Sequence, residues 1–435
     1  MDINYDNEPH GVFFLIDNKS FYASVEASMR GLNPLEVPLV VMSEQENTNG
    51  GLILATSPEA KKRYHLQANV SRQHDLPTDP ALMVVPPRMN LYIKRNLQIN
   101  DIFRRFVADE DLLPYSIDES ILDMTHSWRL FGDSPEAVAR KIQLTVRQEL
   151  GLYTTIGIGE NPVQAKIALD IYAKHNRDLV GEITYDTVDQ TIWPIKNMTD
   201  VWSIGHRTEK HLNRLGIHSM WDLAHYDPFA LNQEMGLIGM QLFALAWGID
   251  HSQLRERRGP KEASIGNSQV LPRDYQTQAE IETVIKEIGE QVASRLRHHR
   301  KQTSCISLAI GFSYAASEAD GRSGFHQAKR IEPTDRNHDI VAILISMFRY
   351  QWEGQTIRNI AVYTSRLNSK QSQQLTFFEP PRPQIRRDQS DHLVDQIRDR
   401  FGFTKLVYAS SLLKGGTAIE RASLVGGHNG GNAYA

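Results

Sequence analysis

At 435 residues, with 40% hydrophobic and 23% charged side chains, the chain exceeds one small core and has the composition of an ordinary water-soluble protein of two to four domains. A formal net charge of -4 excludes a molecule whose overall field attracts nucleic acid, so any such binding must rest on local patches. The one cysteine, Cys305, excludes an internal disulfide and a cysteine-rich zinc site, and reads as a buried core thiol.

In chain order, residues 11–16 read as a strand, 20–30 as a helix, 37–42 and 51–56 as strands, and 58–64 as a short helix opened by Pro58. Residues 65–88 are polar, and a helical period then begins at Leu91. A strand over 112–123 carries Asp118 and Glu119; a helix over 135–150 with Ser134 as N-cap, a strand over 153–158 and a helix over 162–174 follow. This alternation predicts an α+β or split βαβ sheet with helices on one face.

From about residue 195 short helices alternate with glycine turns. Ser203-Ile204-Gly205-His206-Arg207-Thr208, leading into a helix that ends at Gly216, is similar to a helix-hairpin-helix; a glycine-capped helical pair is the plainer reading. A second α+β unit reads as strand 265–271, helix 277–300, strand 304–314, loop 315–326, helix 336–351 and strand 357–365. Pro380, Pro381 and Pro383 read as a linker, one more helical pattern stops at Gly402, and the Gly- and Asn-rich tail reads as disordered. No run of about 18 apolar residues spans a membrane, and Asp2, Asp6 and Glu8 do not fit a signal peptide, so a cytoplasmic protein without membrane contact is expected. The clearest basic cluster, Arg295 to Lys301, is a solvated face or a phosphate-touching patch.

The acids carry the chemistry. A buried strand excludes unpaired carboxylates, so Asp17 behind strand 11–16, and Asp118 with Glu119 inside the apolar run 112–122, call for compensating charge. Divalent cations held by hard oxygen ligands supply it. Singly, Asp17 could cap the following helix, and the pair could tip a hairpin. Neighbours on a regular strand point to opposite faces, so Asp118 and Glu119 can share metal only where the chain bends.

Through Asp17-Asn18-Lys19-Ser20-Phe21-Tyr22-Ala23-Ser24-Val25-Glu26, Tyr115-Ser116-Ile117-Asp118-Glu119-Ser120, Ser264-Ile265-Gly266-Asn267-Ser268 and Ser410-Ser411-Leu412-Leu413, the chain resembles the Y-family (translesion) DNA polymerases, most closely their UmuC-like branch, over nearly its whole length. The resemblance implies a multidomain α+β right hand: a ferredoxin-like palm (1–22 and 88–180), small fingers (23–87), a helical helix-hairpin-helix thumb (181–258), an α+β little finger (262–370), and a clamp-binding peptide with a C-terminal extension (371–435). It further implies error-prone, template-directed addition of deoxynucleotides to a primer 3'-hydroxyl, with two Mg²⁺ held by Asp17, Asp118, Glu119 and the carbonyl of Asn18.

Tyr22 matches the family's steric gate against ribose, with Phe21 beside it, and Lys61 and Lys166 match positions that touch the triphosphate. Gly205, Arg207, Ile265, Gly266 and Asn267 match DNA-contacting motifs, while Gln374, Leu375, Phe377 and Phe378 match a sliding-clamp peptide. Pro58 departs from the aromatic residue many members carry there. Related UmuC-like enzymes act with RecA and a small accessory subunit. Nucleotidyl cyclases also place paired acids on a ferredoxin-like sheet but need neither thumb nor clamp peptide; a silent, clamp-tethered DNA-binding protein would need neither the acids nor Tyr22.

Overall fold

A computed structural model describes residues 3–43, 50–256, 263–369 and 380–430; the clamp-peptide residues Gln374, Leu375, Phe377 and Phe378 lie outside them. The chain begins with β1 (Phe13–Asn18), whose apolar residues bury both faces, and turns into α1 (Phe21–Met29). β2 (Leu39–Met42), β3 (Ile53–Thr56), α2 (Pro58–Tyr64) and β4 (Met83–Val85) build the fingers, a three-stranded sheet in the order β3-β2-β4. β4 falls within residues expected to be merely polar.

The palm resumes with α3 (Met89–Phe103), β5 (Leu112–Pro114), β6 (Glu119–Asp123), α4 (Pro135–Leu150), β7 (Thr154–Gly159), α5 (Pro162–Ile167) and β8 (Val180–Ile183). Its sheet runs β5-β6-β1-β7-β8, so the strand after residue 179, unforeseen in the sequence, extends the palm to Ile183. Helices cover both faces, not one. Phe14 and Ile16 pack with α3 and α4, whereas Phe13 and Leu15 meet α5 and the π-helical turn Ala168–Ala173 that continues it. Gly157 permits that second layer: a Cβ there would stand 2.1 Å from the Ala165 carbonyl oxygen.

The thumb comprises α6 (Val188–Thr191), α7 (His206–Arg214), α8 (Met220–His225), α9 (Pro228–Met235) and α10 (Leu237–Ala246), packed around Leu212, Ile217 and Leu231. A shared apolar core and a set of hydrogen bonds fasten it to the palm. Asn161 Nδ2 and Gln164 Nε2 both donate to the Gly248 carbonyl, at 2.7 and 3.0 Å, and the Tyr5 hydroxyl donates to the Trp247 carbonyl at 3.0 Å.

The little finger contains β9 (Ile265–Tyr275), α11 (Gln278–His298), β10 (Lys301–Phe312), α12 (Tyr314–Asp320), β11 (Gly324–Thr334), α13 (Asn337–Gln351) and β12 (Ile357–Ser369). Its sheet order is β11-β10-β12-β9, with α11 and α13 on one face. The expected loop over 315–326 is instead α12 and the start of β11, and Cys305 is half-exposed on the open face rather than a buried thiol.

Beyond it, α14 (Pro381–Phe401) starts at the proline cluster taken for a linker, because Pro fits the first turn of a helix. The described part of the tail, residues 402–430, is folded. It contains α15 (Ala418–Arg421) and a hairpin of β13 (Leu424–Val425) and β14 (His428–Asn429). Of the basic cluster, Arg297 is buried and donates to Asp395 of α14 at 2.6 Å. Among the described residues no helix is long and apolar enough to cross a membrane.

Candidate active site

The site grows from the pairing of β1 with β6. Asp17 lies directly opposite Glu119 in the antiparallel register, so both side chains leave the same face of the sheet, toward α5. The bend required by the adjacency of Asp118 and Glu119 is present: β5 stops at Pro114, β6 starts at Glu119, and residues 115–118 lie outside both strands. Ser116 pins that bend. Its Oγ accepts from the Asp118 and Glu119 amides at 3.3 and 3.0 Å and donates to Asp118 Oδ1 at 2.7 Å. The Asp118 carbonyl in turn accepts from both the backbone and the side-chain nitrogen of Asn18, each at 2.9 Å, which ties the turn to the end of β1.

Two lysines balance the acids. Lys166 Nζ lies 2.7 Å from Glu119 and 3.2 Å from Asp170, while Lys174 lies 2.8 Å from Asp170 and 3.9 Å from Asp17. Burial, opposed by Lys174 and reinforced by Asp118 and Glu119, pushes the Asp17 carboxyl up to about 6. Burial draws the Lys174 ammonium down, but Asp17 and Asp170 outweigh it and hold the group above its usual range. Negative charge is therefore crowded here, and the donors are the hard oxygens that Mg²⁺ takes. Asn18 Oδ1 is also buried, without a hydrogen-bond partner among the described residues. Among the described residues no three His, Cys, Asp or Glu side chains form a ready-made cage; the donor set fits a cation in chemistry, with Lys166 paired to Glu119 beside it.

A cavity of about 720 Å³ opens beside the acids, lined by Asp17, Asn18, Phe21, Tyr22, Lys61 and Asp118 among others. Ser20, at φ 49°, makes the tight passage from β1 into α1 that turns Phe21 and Tyr22 to this wall. Phe21 is buried in the palm core. Tyr22 is half-buried, and its ring stacks on Tyr92 with centroids 4.4 Å apart. Tyr92 donates at 2.8 Å to Glu26, a fully buried carboxylate also held by Arg88 at 2.6 Å and by Arg30. Glu119 and Lys166 are not among the lining residues and stand on the α5 side of the acids.

The supporting residues Tyr92, Asp170 and Lys174 were missed in the sequence. Lys166, Asp170 and Lys174 do follow one another at helical i,i+4 spacing, a signal that could have found them.

The candidate DNA contacts fall on two surfaces. Gly205 is the exposed N-cap of α7, with no side chain capping the helix, and Arg207 is exposed on its first turn. On edge strand β9, Gly266 pairs with the exposed Tyr363 on the open face of the little-finger sheet. Asn267 faces the helices instead, donating to Gln291 at 2.7 Å, and the Ile265 carbonyl accepts from Thr364 at 2.7 Å. Of the three, only Gly266 therefore presents itself to a ligand on the open face.

Residues 16–170 match the family model described as the impB/mucB/samB family, and residues 262–377 match its C-terminal domain. The chain is 36% identical over 427 residues to UvrX of Bacillus subtilis (strain 168), covering 98% of this chain and 99% of that protein. It is 34% identical over 422 residues to DNA polymerase IV 2 of the same organism, covering 96% and 98%. A solved Y-family DNA polymerase chimera of Dbh and Dpo4 shares the fold with a TM-score of 0.66 at 19% identity, covering 82% of this chain and 99% of that one. Matched by relatives along almost its full length, the chain belongs to the impB/mucB/samB family and is a Y-family translesion DNA polymerase, a DNA-directed DNA polymerase.

Proposed function

We propose that this polymerase uses a two-metal mechanism and synthesises with low fidelity past damaged template bases. The observation that carries the reading is the rung Asp17–Glu119 with Asp118 bent alongside, at the edge of a cavity that also holds Tyr22 and Lys61. Asp17, Asp118, Glu119 and the Asn18 carbonyl would hold Mg²⁺, which when bound supplies charge neutralisation at the triphosphate and a more acidic primer hydroxyl.

The chain's own groups do the rest. Lys61 offsets triphosphate charge from the α2 side of the cavity, and Tyr22, braced by Tyr92, closes the space a 2'-hydroxyl would need. Lys166 keeps Glu119 charge-balanced until a cation replaces it. Among the described residues the fingers are a three-stranded sheet with one short α-helix and a single 3-10 turn, so little protein can close over a nascent pair, and discrimination by induced fit is weak. Primer extension with Mg²⁺ on undamaged and abasic templates, beside Asp118→Ala, tests this; extension unaffected by the substitution refutes the metal assignment, and arrest at the abasic site refutes bypass. Docking of residues 374–378 into a sliding clamp, and action with RecA or a small accessory subunit, belong to the same reading. Wild-type clamp affinity after Leu375→Ala with Phe378→Ala would remove the first.

A further inference from the structure

The C-terminal extension lies beyond residue 377, where the second family model ends, and it returns to the active site. Its path is built contact by contact. The Gly415 carbonyl accepts from Tyr275 at 2.9 Å, the Thr417 amide donates to Glu287 at 2.9 Å, and Arg421 donates to Gln269 at 2.8 Å, all on the little finger. After Arg421 the chain crosses to the palm. β13 and β14 pair around Gly426 and Gly427, at φ 58° and 83°, the two left-handed central positions that a tight hairpin requires.

Val425 packs against the palm core, and the Gly430 carbonyl accepts from the Asn90 amide at 3.0 Å, satisfying an N–H of the first turn of α3. The hairpin thus lands two residues from Tyr92, the ring on which Tyr22 stacks. His428 then forms part of the cavity wall with Asp17, Asp118, Tyr22 and Lys61. Its Nδ1 is buried and has no hydrogen-bond partner among the described residues, an arrangement that costs about 1–3 kcal/mol.

We propose that the C-terminal hairpin is a wall of the nucleotide pocket and that His428 binds the incoming deoxynucleoside triphosphate on the Tyr22 side, at its sugar and base. Burial holds the imidazole below its ordinary titration range, so it meets the nucleotide neutral, as a hydrogen-bonding and stacking group. The little finger, through its extension, thereby contributes directly to substrate binding in the palm.

The inference rests on the polymerase reading, and its test separates the two. Steady-state primer extension compares wild type, His428→Ala, and Gly430→Val; a Cβ at residue 430 would stand 2.9 Å from Asn90 Nδ2, so that variant releases the hairpin while keeping the histidine. Both variants should raise KM for the deoxynucleotide roughly 5- to 20-fold with kcat within about twofold. Calorimetric titration of the same nucleotide into each full chain, bound to a primer lacking its 3'-hydroxyl, should show the same loss of affinity. Unchanged KM and affinity, or faster extension at low nucleotide, would overturn the proposal, the latter marking the hairpin as a plug. If the wild type fails to extend a primer, the functional reading falls, and the calorimetry still decides the role of His428.

Discussion

Glu119 and Lys166 form an ion pair of 2.7 Å, with the lysine side chain only 9% and the glutamate 13% exposed. Two nearly buried charges hold each other where a polymerase of this family is expected to seat a cation. Lys166→Met should therefore leave Asp17, Glu119 and Asp170 under-compensated and lower stability at neutral pH by about 1–3 kcal/mol, with added Mg²⁺ recovering more of that loss than it adds to the wild type. Urea unfolding with and without Mg²⁺ measures this; equal metal stabilisation of both proteins would sink it. Glu119→Gln should retain the fold and lower primer extension by roughly a thousandfold.

The stack of Tyr22 on Tyr92 makes the gate depend on a network behind it. Tyr22→Ala should admit ribonucleotides, read as a fall of about tenfold or more in the preference of kcat/KM for deoxy- over ribonucleotides. Glu26→Gln, which disturbs the support of Tyr92 without entering the cavity, should lower stability by about 1–3 kcal/mol and relax the same preference more weakly. Sugar selectivity unchanged in both variants would move the gate elsewhere.

Glu290 on α11 is buried beneath the extension, and burial, opposed by Lys286 and Arg398 and aided by Glu287 and Asp391, raises its carboxyl to about 7. The folded protein thus keeps a proton that the unfolded chain releases near 4.5, so this group's contribution falls as pH rises from about 4.5 to 7 and its penalty is complete above that. Glu290→Gln should gain stability relative to the wild type at pH 8 compared with pH 5. A difference independent of pH in urea titrations counts against it.

On the thumb, Arg207 stands exposed beside the uncapped amides of α7. Arg207→Ala should weaken binding to primer–template DNA without regard to sequence and lower the magnitude of the log–log salt slope by about 1. An unaltered slope would show that this helix end meets no phosphate.

How far the sequence could be read depended on whether a signal was local. Asp17 and the Asp118-Glu119 pair stood out because apolar neighbours made their charge anomalous, and the bend they required was foreseeable from the two-residue period of a strand. The packing of α5 on the sheet was not: Gly157 marks a close approach, but only the folded chain shows that the Ala165 carbonyl fills it and brings Lys166 to Glu119. β11 was hidden by its polar character, since His326, Lys329 and Arg330 give no apolar alternation, and Gly321 and Gly324 suggested a loop. The tail read as disordered because its two-residue strands have no propensity of their own; Asn90 and the palm core hold them from elsewhere in the chain.

The fastening at Gly248 has a mechanical consequence. Three donors, from Tyr5, Asn161 and Gln164, converge on the carbonyls of Trp247 and Gly248, so any swing of the thumb must break several hydrogen bonds at once, and palm and thumb turn as one arm. The little finger is hung differently. The chain passes to it once between residues 256 and 263 and returns once through the hairpin at 423–430. The hairpin thus gives the little finger a tie to the palm beyond its covalent link, and any tilt that strains this tie acts on a wall of the active-site cavity.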